Sequence, residues 1–183
     1  LGVGGRLADL LHASNAYQEI SMNISLSGKN AFQRGQTITE YSISNNIDPN
    51  NVGFKPLPSW WSNSGYLTQL RDSGMDSLVS KTYANLLQKA YSNTTKNTTA
   101  AFEIFKNALT KVPTMNTTFG TDDLSENLQA IAKVISVREF LGAKRQIFFV
   151  TLGGWDMHSN LLTGMNQMIP MVSQALKSFY DAT

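Results

Sequence analysis

The run Gln146–Ile147–Phe148–Phe149–Val150–Thr151–Leu152 constrains this chain more than any other feature. It is apolar without alternation. A strand with water on one face alternates apolar and polar residues, so this pattern predicts a strand covered on both faces of a sheet. Helical periodicity flanks it. Leu124, Leu128, Ile131, Ala132 and Ile135 precede it, and Leu161, Met165, Met168, Ile169, Val172, Leu176 and Phe179 follow it. Thr121 to Asp123 supplies capping residues and first-turn acids for the leading helix. Gly142 is a natural terminator after Leu141, and Pro170 is expected in the first turn of the regular part of the trailing helix. Between strand and trailing helix lies Gly153–Gly154–Trp155–Asp156–Met157–His158–Ser159. Helix, buried strand, glycine loop and helix make an α/β unit. The strand needs neighbours on both edges, and they are expected to come from beyond the chain. Alone, the chain should expose strand edges and aggregate.

Upstream, Gly2 to Gly5 opens the chain, and Arg6 to Ser14 reads as a short helix with Leu7, Leu10 and Leu11 on one face. Ile20, Met22, Ile24 and Leu26 alternate with Ser21, Asn23 and Ser25, the period of a strand, which Gly28 ends. Tyr41 and Ile43 suggest a second, shorter strand. Residues 44–65 are irregular, broken by Pro49, Pro56 and Pro58. The Trp60–Trp61 pair inside that stretch either anchors a long loop to the core or lines a ligand site. From Tyr66 to Val112 the period is helical. Met75, Leu78, Val79, Thr82, Tyr83, Leu86, Leu87 and Ala90 form one continuous stripe, and Phe102, Phe105, Ala108, Leu109 and Val112 another. Both read as core faces, with a partner-binding surface as the alternative. Asn93 to Thr99 reads as a turn or frayed segment between them, and Pro113 as the stop.

Composition narrows the function classes. Charged residues make up 15% of the 183, against about 25% in an average soluble protein. Neutral Ser, Thr and Asn take their place. A net charge of +2 gives weak support for a nucleic-acid surface. No run of 18 apolar residues exists to span a membrane. The absence of cysteine excludes disulfides, thiol nucleophiles and thiolate metal sites. Leu1 in place of Met, and a last helix from Met168 to Thr183 that simply stops, read as the cut ends of an internal fragment. No signal peptide is present in it. Sequons at Asn23, Asn93, Asn97 and Asn116 read as chance matches in an Asn- and Thr-rich chain.

Chemistry concentrates at residues 153–159. In open α/β sheets ligands bind beyond the carboxyl ends of the strands, where this loop belongs. Asp156 and His158 are two residues apart, so in an extended segment their side chains share one side. They can ligate one Zn²⁺, Mn²⁺ or similar ion, act as a base with its orienting acid, or merely sit in a solvated loop. Ser159 is a hydrogen-bond donor or, less readily, a nucleophile. His12 reads as a surface or packing histidine and Asp122–Asp123 as helix-start acids. Asp72 and Asp76, four apart on a helix, read as a solvated face, and Arg6 as a structural residue or an anion contact. No P-loop, dinucleotide fingerprint or Gly-x-Ser-x-Gly elbow occurs.

Residues 145–159 resemble a signature of exported bacterial proteins, those of domain-of-unknown-function family 1501. There a strand runs into Gly-Gly-(Trp/Phe)-Asp-Thr-His. Gly4–Gly5–Arg6–Leu7–Ala8–Asp9, the strand near Ile20 to Leu26, and the late Phe179–Tyr180 are similar as well. The resemblance implies a partial domain over 1–183, a fragment of an alkaline-phosphatase-like α/β/α sandwich related to sulfatases. It would carry a helical insertion over 66–112 and a core unit over 121–183. It further implies export to the periplasm or outside, often by a twin-arginine signal, and divalent-metal-dependent hydrolysis of a small phosphate or sulfate ester. Asp156 and His158 match the family's Asp and His, and the metal-ligand role carries to those two alone. Met157 stands where the family has Thr. The family's remaining ligand motifs, an early Asp loop and a late Asp-His-Gly, are not in this sequence. A non-catalytic exported binding or assembly protein of the same fold is the alternative.

Overall fold

A computed structural model describes residues 1–47 and 60–183, with Thr94 described by its backbone alone. The proline-broken segment holding Pro49, Pro56 and Pro58 lies outside the described residues. The chain divides into two units, 1–47 with 108–183, and 48–107.

The first unit is mixed α/β. It begins with helix α1 (Val3–Leu11), which runs into one 3-10 turn (His12–Ser14). Strands β1 (Asn23–Ser25) and β2 (Tyr41–Ser42) follow, paired in parallel. The second unit, described from Trp60 onward, holds α2 (Ser64–Ser80) and most of α3 (Leu86–Leu109). The first unit resumes with α4 (Asp123–Ser136), β3 (Ile147–Phe149) and α5 (Leu161–Ala182). β3 pairs with β1 in parallel, which makes a three-stranded sheet in the order β2-β1-β3.

In the β1–β3 register Ile24 faces Phe148, and both sides of the sheet carry helices. Phe148, Val150 and Leu26 pack against Leu128, Ile131 and Ala175 of α4 and α5, with Phe119, Leu124, Ile135 and Phe179 around them. On the other side, the Asn23 amide reaches Gly4 O in α1 and Gln33 O, and Phe32 stacks on Phe149 with ring centroids 6.0 Å apart. The alternation of β1 is therefore not core against solvent. Asn23 and Ser25 are as fully buried as Met22 and Ile24; Asn23 Nδ2 donates to Gln33 O and the Ser25 hydroxyl to Gly28 O, while Asn23 Oδ1 has no partner among the described residues. β3 also departs from expectation. It is shorter than 146–152, and its three residues are half-buried rather than enclosed. Among the described residues its second edge has no strand partner.

Two polar side chains hold distant segments together. Asn15 Oδ1 accepts from the amides of Lys144 (2.8 Å) and Arg145 (3.0 Å), while its Nδ2 donates to Arg145 O. Gln33, fully buried, donates to Ile24 O and Ile147 O and so bridges β1 and β3. Burial pushes the Tyr41 phenol on β2 up to about 12, so it stays neutral at physiological pH.

Several helix expectations change. Pro170 lies inside α5, which already begins at Leu161. A proline there gives up one helical hydrogen bond, which the rest of a 22-residue helix tolerates. In the second unit, the single stripe from Met75 to Ala90 is cut where α2 ends at Ser80. Asn85 opens α3, its Oδ1 accepting from the amides of Leu87 and Gln88. Leu78, Leu86 and Leu87 are exposed, so that stripe is not a core face. Asn93 to Thr99 is neither turn nor frayed end but mid-helix. There the Thr95 and Thr99 hydroxyls donate to the carbonyls of Tyr91 and Thr95 one turn back, so these polar groups are bonded within the helix. Trp60 is 81% exposed and lies edge-on to Trp61, so it anchors no loop to a core.

Candidate functional site

The glycines near the N-terminus bring α1 close to the segment after β1. A Cβ on Gly5 would stand 2.1 Å from the Arg34 carbonyl carbon, and one on Gly4 2.7 Å from the Phe32 ring. One turn later the Asp9 carboxylate accepts from the amides of Gln36 (2.7 Å), Thr37 (3.0 Å) and Ile38 (2.9 Å). The Gly-Gly-Arg-Leu-Ala-Asp stretch is thus a docking device for residues 31–38. Those amide bonds hold the Asp9 carboxyl below the usual carboxylate range. A lowered carboxylate stabilises the fold above its unfolded pKa, and that contribution is lost as pH falls through the folded value. An NMR pH titration of the Gln36, Thr37 and Ile38 amides should therefore show a common midpoint below about 3.9, abolished by Asp9→Asn. A midpoint at or above that value would contradict the assignment.

Beyond the carboxyl end of the sheet, the segments after β1 and β3 meet. Leu26 N donates to Phe149 O, and the next rung is made by a side chain: Thr151 N donates to Ser27 Oγ at 2.8 Å. The Thr151 and Ser27 hydroxyls are 2.9 Å apart. Gly28 and Gly154 carry positive φ (68° and 89°), the left-handed region that favours glycine. Trp155 Nε1 closes back on Leu152 O, and the loop enters α5 through Asn160 in a left-handed conformation.

That loop brings the two foremost sequence candidates together. His158 Nε2 and Asp156 Oδ2 are 3.2 Å apart, and both side chains are 88% exposed. The separation fits a hydrogen bond, or two ligands turned toward one ion. As a metal centre the donor set is incomplete. A catalytic zinc takes at least three protein ligands, and among the described residues no group of three or more His, Cys, Asp or Glu is gathered. Ser159 is exposed beside the pair.

The weaker candidates are placed elsewhere. His12 is buried, with Nε2 3.1 Å from Gln18 O. Asp122 caps α4. Burial acts to raise its pKa, but bonds from the Ser125 hydroxyl and amide outweigh that and hold it below the usual range. Asp72 pairs with Arg71 at 2.7 Å in the second unit. Arg6 is exposed on α1. The contact between Ser27 and Thr151 was not legible, because nothing local in the sequence marks a pairing 124 residues apart. Comparison of the chain with protein-family models, with curated proteins and with solved structures gave no match.

Proposed function

We propose that the chain is part of an exported hydrolase of small phosphate or sulfate esters, with Asp156 and His158 as two ligands of a divalent cation such as zinc or manganese. The observation that carries this is the Asp156–His158 contact on the glycine loop after β3, at the end of a parallel sheet where ligands bind. The resemblance of residues 145–159 to the family signature supports the same reading. The remaining protein ligands would come from a longer natural chain.

A divalent cation polarises a phosphoryl or sulfuryl oxygen as a Lewis acid. The chain's own part is to present a carboxylate and an imidazole on one side of a loop whose glycines let a ligand approach the backbone. The incompleteness and full hydration of the pair favour a second reading, a non-catalytic exported binding or assembly protein of the same fold. Hydrolysis of aryl phosphate and aryl sulfate by the full-length natural protein, purified with and without added Mn²⁺ or Zn²⁺, decides between them. Metal-dependent turnover that falls at least about a hundredfold in Asp156→Ala and in His158→Ala supports the hydrolase. Turnover absent with either metal, or unchanged in both variants, supports the second reading.

A further inference from the structure

Between β1 and β2 the chain makes a crossover whose backbone is held from several sides. Gly2 N donates to Arg34 O and Gly5 N to Phe32 O, at 2.9 and 3.1 Å. Asn30 Oδ1 accepts from Gln33 N at 2.8 Å, and its Nδ2 donates to Gln33 Oε1. Asp9 holds the amides of residues 36–38. A cavity of about 610 Å³ opens on this crossover, with Lys29, Arg34, Thr39 and Glu40 among its walls. Small-molecule sites span about 300–1,000 Å³, and this volume lies within that range.

The charged groups at this cavity are unpartnered. Among the described residues Lys29, Arg34 and Glu40 make no ion pair and no side-chain hydrogen bond. Unpaired cations are common on this surface, and by themselves they mark nothing. Glu40 sets this place apart. It is half-buried, yet neither of the two cations lining the same cavity closes on it. A partly desolvated carboxylate without a donor is unfavourable, and an ion pair within the cavity would relieve it. The held crossover instead keeps the three groups around an open volume. A ligand that brings a donor to Glu40 and anionic groups to Lys29 and Arg34 satisfies all three together. Arg34 offers a planar fork that suits a carboxylate, and Lys29 a point charge.

We propose that the cavity on the β1–β2 crossover binds a small acidic zwitterion, with two anionic groups for Lys29 and Arg34 and an ammonium for Glu40. This is the charge pattern of an acidic α-amino acid. The site is independent of the hydrolase reading, since none of these residues belongs to the glycine loop at 153–159. The fixed crossover lowers the ordering cost of binding. The probes are L-glutamate and glutarate, which differ by the ammonium group alone. They are titrated at constant ionic strength into the full-length natural protein, because Leu1 also lines the cavity. Calorimetry and amide NMR shifts read the binding.

L-glutamate should bind saturably, with shifts centred on Lys29 to Ala31 and on Thr39 and Glu40. It should bind about tenfold or more tighter than glutarate, the scale of one hydrogen bond between charged groups. Lys29→Ala and Arg34→Ala should each weaken it by a similar factor while Tm stays unchanged, because both side chains are exposed. Glu40→Gln should weaken L-glutamate but not glutarate, a loss of preference that damage to the fold would not produce. Asp156→Ala should bind L-glutamate like the parent. L-glutamate that does not saturate, glutarate bound as tightly by the parent, or binding unchanged in Lys29→Ala and Arg34→Ala would overturn the proposal. Loss of L-glutamate binding in Asp156→Ala would move the ligand to the glycine loop and overturn it as well.

Discussion

Gly5→Ala is expected to be among the most damaging small substitutions in the molecule. The added Cβ would lie 2.1 Å from the Arg34 carbonyl carbon and 2.2 Å from Gly35 N. Both are backbone atoms, so no side chain can turn aside, and α1 must lift from residues 31–35. That movement would also pull Asp9 from the amides of Gln36 to Ile38 and disturb the Asn23 contact with Gly4 O. The cost should reach or exceed about 3 kcal/mol, the top of the usual overpacking range. At about 2–4 °C per kcal/mol, this is a fall in Tm of roughly 6–12 °C. Gly74→Ala is the control. It lies within α2 with nothing near its added Cβ, so the same chemical change should stabilise by about 1 kcal/mol. Equal effects at the two positions would refute the close-approach role of Gly5.

Ile131→Ala tests the other side of the sheet. Ile131 is buried with Leu128 and Ala175, and Phe148 and Val150 of the β3 segment pack against that cluster. Truncation removes apolar contact and leaves a cavity that two helices and a strand cannot close together. A loss of about 2–5 kcal/mol is expected, against about 0.5–1.5 for Ile131→Val. Denaturant unfolding monitored by far-UV circular dichroism measures both. An Ile131→Ala cost below that of Ile131→Val would show that this cluster does not hold α4 and α5 to the sheet.

Periodicity made some elements readable and hid others. α4 was legible because a capping Asp and an apolar face agree, but its end was not: the helix stops at Ser136 with Val137 as its cap, and Gly142, the expected terminator, takes its positive φ of 58° in the turn that follows. β1 and β2 were legible as strands from alternation, though not the burial of Asn23 and Ser25, whose partners lie in α1 and residues 28–33. The Asn93–Thr99 tract misled because neutral polar composition resembles a turn, while the hydroxyls there bond back to the helix itself. Pro170 misled because proline favours a first helical turn yet also persists inside a long helix. Asp156 and His158 were legible as a facing pair from their spacing. Asn15, Gln33, Ser27 and Thr151 were not, since each acts on a partner more than a hundred residues away.

In the proposed function the glycine loop after β3 is a ligand site, and its Asp156–His158 pair would hold a divalent cation. Paramagnetic broadening by Mn²⁺ in the full-length natural protein tests it most directly. Substoichiometric Mn²⁺ should broaden the amides of Gly153 to Ser159 first, and Asp156→Ala should abolish that selectivity. Broadening centred instead on Asp72 and Asp76, or spread evenly over all exposed carboxylates, would contradict the account.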